Sequence, residues 1–312
     1  MPSEVVVVGQ VARDLVVEVP DSPPAGSSAE VPHRRELLGG KGAYQAVALS
    51  QLGTSVSLVG VVGDDLFGDA LRARARADRI GTTHVVRRPG TETALIVDVV
   101  DEHGRRRYLE HIPAATLVTE TDVFAAAAPI SAACSLIVQL RQPAPAALLA
   151  ARLAHTAGTR VVLDGAPDDP ALTDELLALS HVVHAGAHEA ETLTGRPVAD
   201  VEAAVRAAAE LRRRGPSLVV LEVSGRGNLF AGPDGTWFVP DVETDVVDPT
   251  GAGDALVATL TAALTRRRPL ETAACLAVAA AAATTEHAGG RPRLSRPALD
   301  RLRPERAEEV HA

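Results

Sequence analysis

The stretch Ser135-Leu136-Ile137-Val138-Gln139-Leu140, followed by the helical run Ala144–Thr156 and then by Arg160-Val161-Val162-Leu163-Asp164, carries the reading of the fold. A short apolar strand, a longer helix and a second apolar strand make one β-α-β unit. The rhythm continues through Leu172–Ala178, His181–His184, Glu189–Leu193, Val201–Arg213 and Ser217–Glu222. It also extends backwards over Val5–Gly9, Ala43–Leu52, Ser55–Val62 and Phe67–Asp78. Strands buried on both faces read as unbroken apolar runs, so the alternation predicts an α/β fold: a three-layer α/β/α domain with a mostly parallel central sheet. Ligands of such sheets collect beyond the carboxyl ends of the strands, here Gly9, Asp164, Gly186, Ser224 and residues 248–254.

Two segments break the rhythm. Asp14–Leu38, interrupted at Pro20–Pro24, and Thr93–His111, with a turn at Asp101-Glu102-His103-Gly104, carry the polar and apolar mixture of antiparallel hairpins. They predict a small β-sheet lid, over residues 14–38 and 93–111, as excursions from a single domain spanning 1–312. Strands at Thr236–Val239 and Val242–Val247, helices at Ala255–Thr265 and Leu270–Thr285, and a short closing helix within Pro292–Arg303 complete the expected order.

A chain of 312 residues with 46% hydrophobic content can bury a substantial core. Its net charge of −9 argues against nucleic acid or an anionic membrane as partner. The basic runs Arg105–Arg107, Arg212–Arg214 and Arg266–Arg268 read as solvated surface within that acidic whole. Cys134 and Cys275 sit in alanine-rich apolar stretches and read as small core residues, not as a disulfide. With no basic leader ahead of Val5–Val8 and no long charge-free apolar span, the expected location is cytoplasmic.

The chemistry concentrates at Asp248-Pro249-Thr250-Gly251-Ala252-Gly253-Asp254, directly before the apolar run Ala255–Leu264. Small residues at a helix start let backbone N–H groups crowd around an anion. Asp254 reads there either as a base or as a plain helix cap. Lys41 is the sole lysine of the chain and stands in Leu38-Gly39-Gly40-Lys41-Gly42-Ala43. It reads as a compact ammonium near a phosphate or hydroxyl, or as a chance survivor in a turn. Neither G-x-G-x-x-G after the first strand nor G-x-x-x-x-G-K-[ST] occurs, which removes support for dinucleotide and P-loop chemistry. His181, His184 and His188 form no H-E-x-x-H pattern and read as surface or edge histidines.

Taken together, Gly39–Ala48, Asp248–Ala255, Gly63-Asp64-Asp65 with Gly68, and Glu189-Ala190-Glu191 with Leu193-Thr194-Gly195 resemble the PfkB-type, ribokinase-like carbohydrate kinases. The resemblance covers nearly the whole chain. It implies transfer of the γ-phosphoryl of ATP to a sugar, nucleoside or related alcohol, with Asp254 as the base and Gly251, Ala252 and Gly253 as the anion hole. It further implies acceptor contacts at Asp14, Gly39, Gly40 and Lys41, and nucleotide contacts at Gly186, Ser224, Gly225, Gly227 and His287. Mg²⁺ is implied through water on Glu189, a monovalent cation such as K⁺ at Asp248 and Thr250 with backbone of residues 284–290, and a homodimer through the lid.

Four positions depart from the family pattern. Gly186 stands where N-x-x-E has its asparagine, and Ala12, Tyr44 and Arg141 replace two amides and an acid of the sugar pocket. Tyr44 offers a ring or a hydroxyl, and Arg141 offers a donor fork to a carboxylate or phosphate; outward-folded side chains are the bland alternative. A sugar kinase is the expectation. A nucleoside kinase, a kinase of an acidic or modified sugar, and a non-catalytic binding protein on the same fold stay open.

Overall fold

Four successive valines, Val5–Val8, form the first strand β1, and all four are fully buried. Val5 and Val7 face one hydrophobic layer while Val6 and Val8 face the other, as the two-residue period of a strand requires. β1 is therefore covered by helices on both sides. The computed structural model describes residues 3–103 and 105–310. Gly104, the last residue of the hairpin turn expected from the sequence, lies outside the described residues, as do Met1 and Pro2.

After β1 come β2 (Ala12–Val19), β3 (His33–Gly39), α1 (Lys41–Gln51), β4 (Val56–Gly63), α2 (Leu66–Ala77) and β5 (Gly81–Arg88). Then follow β6 (Leu95–Asp101), β7 (Arg106–His111), α3 (Glu120–Ala125), α4 (Ala127–Ala132), β8 (Ser135–Gln139), α5 (Ala144–Thr156), β9 (Arg160–Asp164), α6 (Thr173–Leu179), β10 (Val182–Ala185), α7 (Ala187–Thr194) and α8 (Val201–Arg213). The chain ends with β11 (Leu218–Val223), β12 (Gly227–Gly232), β13 (Gly235–Pro240), α9 (Ala252–Thr265), α10 (Leu270–Thr285), α11 (Arg296–Leu302) and β14 (Glu308–Glu309).

The main sheet has the order β14-β13-β12-β11-β10-β9-β8-β1-β4-β5. It is parallel from β11 to β5, and β12, β13 and β14 add an antiparallel edge. Helices α1, α9 and α10 pack on one face through Ala46, Val47, Ala258 and Ala277. Helices α5 and α8 pack on the other through Ala147, Ala150, Ala204 and Ala208. A second sheet, β3-β2-β6-β7, stands apart from the first. Asp65 anchors its second half: the carboxylate caps α2 by accepting from the Gly68 amide at 2.7 Å and also accepts from the Thr93 amide at 2.7 Å.

Two expectations need correction. Val242–Val247 is not a strand, because the amides of Val247 and Asp248 donate to the Thr285 carbonyl at the end of α10, at 2.8 and 3.0 Å. The late antiparallel pair is instead β12 with β13. Cys134 is exposed at the mouth of β8, whereas Cys275 is buried as expected. Among the described residues no helix is long and apolar enough to cross a membrane.

Candidate active site

The loop entering α9 is held in a shape that glycine alone permits. Gly251 has φ of +75°, and a Cβ there would lie 1.9 Å from the Gly290 carbonyl oxygen. This packing brings Gly251 and Gly253 to the wall of a cleft of about 620 Å³, with Asp254 in the first turn of α9 beside them. Amides at a helix start lack partners within the helix and carry its positive end. The Ala252 amide leans on the Pro249 carbonyl at 3.3 Å, and Ala252 does not line the cleft.

Opposite stands the start of α1. The Ala43 amide donates to the Gln10 carbonyl at 3.1 Å, seating the first turn beyond the end of β1. Lys41 and Tyr44 therefore face the same cleft. Gly39 is packed so closely beneath Asp14 that a Cβ would sit 2.0 Å from its carboxyl carbon.

Asp254 is 4% exposed and belongs to a buried polar chain. Gln45 Nε2 donates to Asp254 Oδ1 at 3.2 Å and to Asp164 Oδ2 at 2.7 Å, while His184 Nδ1 lies 2.7 Å from Asp164 Oδ1. Burial pushes the Asp254 carboxyl up to about 7; the Lys41 ammonium opposes that rise and Asp164 adds to it. The carboxylates of Asp254 and Asp164 in turn hold Lys41 above the ordinary lysine range. Burial works to raise Asp164 as well, but Lys41 and the His184 hydrogen bond outweigh it and keep that carboxyl low.

Asp14 is the second buried acid. Burial raises it to about 7 against the hydrogen bond from the Tyr44 hydroxyl, and Asp254 and Glu110 add to the rise. Tyr44 is buried and donates its hydroxyl to Asp14 Oδ2, so it neither folds outward nor reaches a distal group. Asp14 Oδ1, also buried, has no hydrogen-bond partner among the described residues. Arg141 lines the cleft with its side chain largely exposed, 3.9 Å from Glu110.

At the far side, Gly186 caps α7 and its amide donates to Glu189 Oε2 at 2.9 Å. Carboxylate oxygens of Glu189 and Glu222 each lie 3.3 Å from where a Gly186 Cβ would be. Among the described residues there is no cluster of three metal-ligating side chains. One or two carboxylates working through water suit Mg²⁺ on a nucleotide better than such a cage would.

The cleft thus gathers Asp14, Gly40, Lys41, Tyr44, Arg141, Gly186, Glu189, Thr250, Gly251, Gly253 and Asp254. Asp248 lies buried beneath it. Ser224 and Gly225 are exposed on the turn after β11, and Gly227 opens β12 with φ of +144°, where a Cβ would meet the Val239 carbonyl at 2.3 Å. His287 lines a different cavity, beside Glu18 of β2 and His103 of the turn between β6 and β7. Gln45, within the Gly39–Ala48 motif, and Glu222 join the site without a role expected from the sequence. His184, expected as an edge histidine, and Arg106, expected as solvated surface, are both buried against carboxylates, His184 on Asp164 and Arg106 on Asp98 and Asp248.

Residues 2–296 match the pfkB family carbohydrate kinase. The chain is 31% identical over 262 residues to a bifunctional ribokinase/ribose-5-phosphate isomerase A of Fructilactobacillus sanfranciscensis, covering 84% of this chain and 48%, about half, of that longer protein. It is 29% identical over 289 residues to a ribokinase of Haemophilus influenzae, covering 93% and 94% of the two chains. In fold it is similar to the Arabidopsis thaliana ribokinase solved with ribose and ATP, with a TM-score of 0.81 over 97% of this chain and 99% of that one, at 24% identity. A family match over nearly the full length, on a chain whose two signature segments meet across one cleft, leads to one conclusion: this chain belongs to the pfkB family of carbohydrate kinases.

Proposed function

We propose that this chain moves the γ-phosphoryl of ATP to a hydroxyl of a neutral sugar of the ribose kind, with Asp254 as the general base and Asp14 as the acceptor's anchor. The observation that carries the reading is the facing of two buried carboxylates across one cleft, one at the mouth of a helix start and the other with a free oxygen. Asp14 Oδ1 supplies one acceptor, so it holds one sugar hydroxyl, and Tyr44 occupies the other oxygen. A ligand hydroxyl there satisfies a group whose burial without a partner costs about 1–3 kcal/mol.

In the transfer, Asp254 accepts the proton of the attacking hydroxyl as its oxygen bonds to the γ-phosphorus. The bond from that phosphorus to the β–γ bridging oxygen breaks, and ADP leaves with the electron pair. The amides of Gly251 and Gly253, and Lys41 across the cleft, oppose the charge that gathers on the phosphoryl oxygens. Glu189 and Glu222 would hold Mg²⁺ through water, and the ion would neutralise phosphate charge. His184, with Asp164 and Gln45, keeps Asp254 oriented from behind.

Charge on the cleft wall favours a neutral acceptor over an acidic one. Asp14, Glu110 and Asp254 line the acceptor end, against Lys41 and the outward Arg141, while Asp98 there is paired with Arg106. ATP consumption across free sugars, sugar acids, sugar phosphates and nucleosides tests this. Turnover with a free pentose or hexose at the highest kcat/KM is expected. Preference for an acid or a nucleoside would replace the proposed acceptor, and ATP binding without turnover on any would move the chain to a binding role. The cytoplasm is the proposed location. Pairing of two copies through the lid is supported by edge strand β7, whose Leu109 is 63% exposed.

A further inference from the structure

We propose that Arg106 of the lid is a built-in cation that takes the charge role beside Asp248 that a bound monovalent ion would fill, and so links lid position to the shape of the anion hole. The side chain of Asp248 is fully buried. One of its oxygens accepts from the Thr250 amide at 2.8 Å and the other from the Gly289 amide at 2.5 Å. A single carboxylate therefore joins the two segments, 249–251 and 289–290, whose packing sets the backbone of Gly251. Two neutral amides do not balance a buried charge; an uncompensated one is among the costliest features a fold can carry.

The compensation comes from another sheet. Arg106 opens β7, its side chain is 8% exposed, and its guanidinium pairs with both Asp98 and Asp248. Its Nε donates to Asp98 Oδ1 at 3.1 Å and its Nη1 to Thr250 Oγ1 at 3.2 Å. Tyr108, two residues on and therefore on the same strand face, places its hydroxyl 2.5 Å from the same Thr250 Oγ1. The fork geometry of a guanidinium suits this double carboxylate, and it fills the space where the family resemblance would set a metal ion. These residues do not fit a bound monovalent cation. Because Arg106 rides on the lid, the counter-charge reaches Asp248 only while β7 lies against the loop. Arg106 is thus a positioning residue for Gly251 and Gly253 and does not touch the reacting atoms.

This inference rests on the kinase reading only for its rate measurement. Wild type, Arg106→Ala and Arg106→Lys are compared by thermal melting and by initial rate, in tetramethylammonium buffer and in K⁺ buffer of equal ionic strength. Wild type is expected to be indifferent to K⁺. R106A is expected to melt lower and lose about 10- to 100-fold in kcat without K⁺, with K⁺ restoring both, while R106K keeps a larger share of activity in its absence. The inference is overturned if K⁺ stabilises or activates wild type as much as R106A, if R106A equals wild type without K⁺, or if K⁺ fails to restore R106A. Should R106A not fold, the K⁺ response of wild type and R106K decides. A wild type inactive on every acceptor would sink the proposed function and leave the melting comparison intact.

Discussion

At the scale of single residues, the proposed transfer takes its pH dependence from the two buried acids. Asp254 acts as a base only when ionised, and burial sets its carboxyl at about 7, with Asp14 raised to about 7 beside it. The expected kcat/KM therefore rises from pH 5 to pH 8 with its midpoint near 7, well above the ordinary aspartate range. Asp254→Asn is expected to lower kcat about 10²- to 10⁴-fold while leaving the KM for ATP nearly unchanged. A flat profile across that range, or normal turnover by D254N, would remove Asp254 from its role. Much of this was legible beforehand: Asp254, Lys41 and Asp14 were named from their motifs and all face the cleft. The partners of Asp254 were not, because Gln45, Asp164 and His184 come from α1, β9 and β10 and meet only when the sheet forms. Tyr44 was read as a changed contact, and its hydrogen bond to Asp14 needed the register that lays β2 beside the start of α1.

At the scale of elements, the sharpest constraint is the entry to α9. Gly251 combines a left-handed backbone with a van der Waals limit, since an added Cβ meets the Gly290 carbonyl oxygen at 1.9 Å. Gly158, just beyond α5, has φ of +76° but open space around it. The pair separates backbone strain from collision. Gly158→Ala is expected to cost about 1 kcal/mol in a denaturant melt and to leave kcat alone. Gly251→Ala is expected to cost at least about 1–3 kcal/mol and to cut kcat about 100-fold, because the amides proposed to meet the phosphate must move. Equal stability of the two variants would mean the loop relaxes freely and does not shape the anion hole. The β-α-β rhythm was readable because its strands are apolar runs between amphipathic helices. The late edge was not: β12 begins and ends in glycine and was passed over, while Val242–Val247 carries valines without a strand neighbour. β7 misled for a related reason, since three consecutive arginines look solvated until strand alternation turns the second, Arg106, toward Asp98 and Asp248.

At the scale of the whole molecule, the same buried acids set a cost in stability. A carboxyl near 7 in the folded chain and near 3.8 in the unfolded chain keeps its proton longer when folded. Between those values the folded state binds more protons, so stability falls as pH rises through that window and the loss is complete above about 7. Groups held low, Asp65 and Asp164 among them, act in the opposite sense and weaken the fold only as pH falls toward their own range. Unfolding free energy is thus expected to peak near pH 4 and to decline toward pH 8. Asparagine at 254 resembles the protonated acid and leaves Lys41 under the charge of Asp164. D254N is therefore expected to exceed wild type in stability at pH 8 by on the order of 1–4 kcal/mol, to match it near pH 4, and to show a flatter decline between. Urea titrations at four pH values would measure this. A variant less stable than wild type at pH 8 would mean that ionised Asp254 holds the cleft together through Lys41, and that its burial carries no penalty for the fold. The expected result instead makes the cleft a place where stability is given up for a base that works at neutral pH.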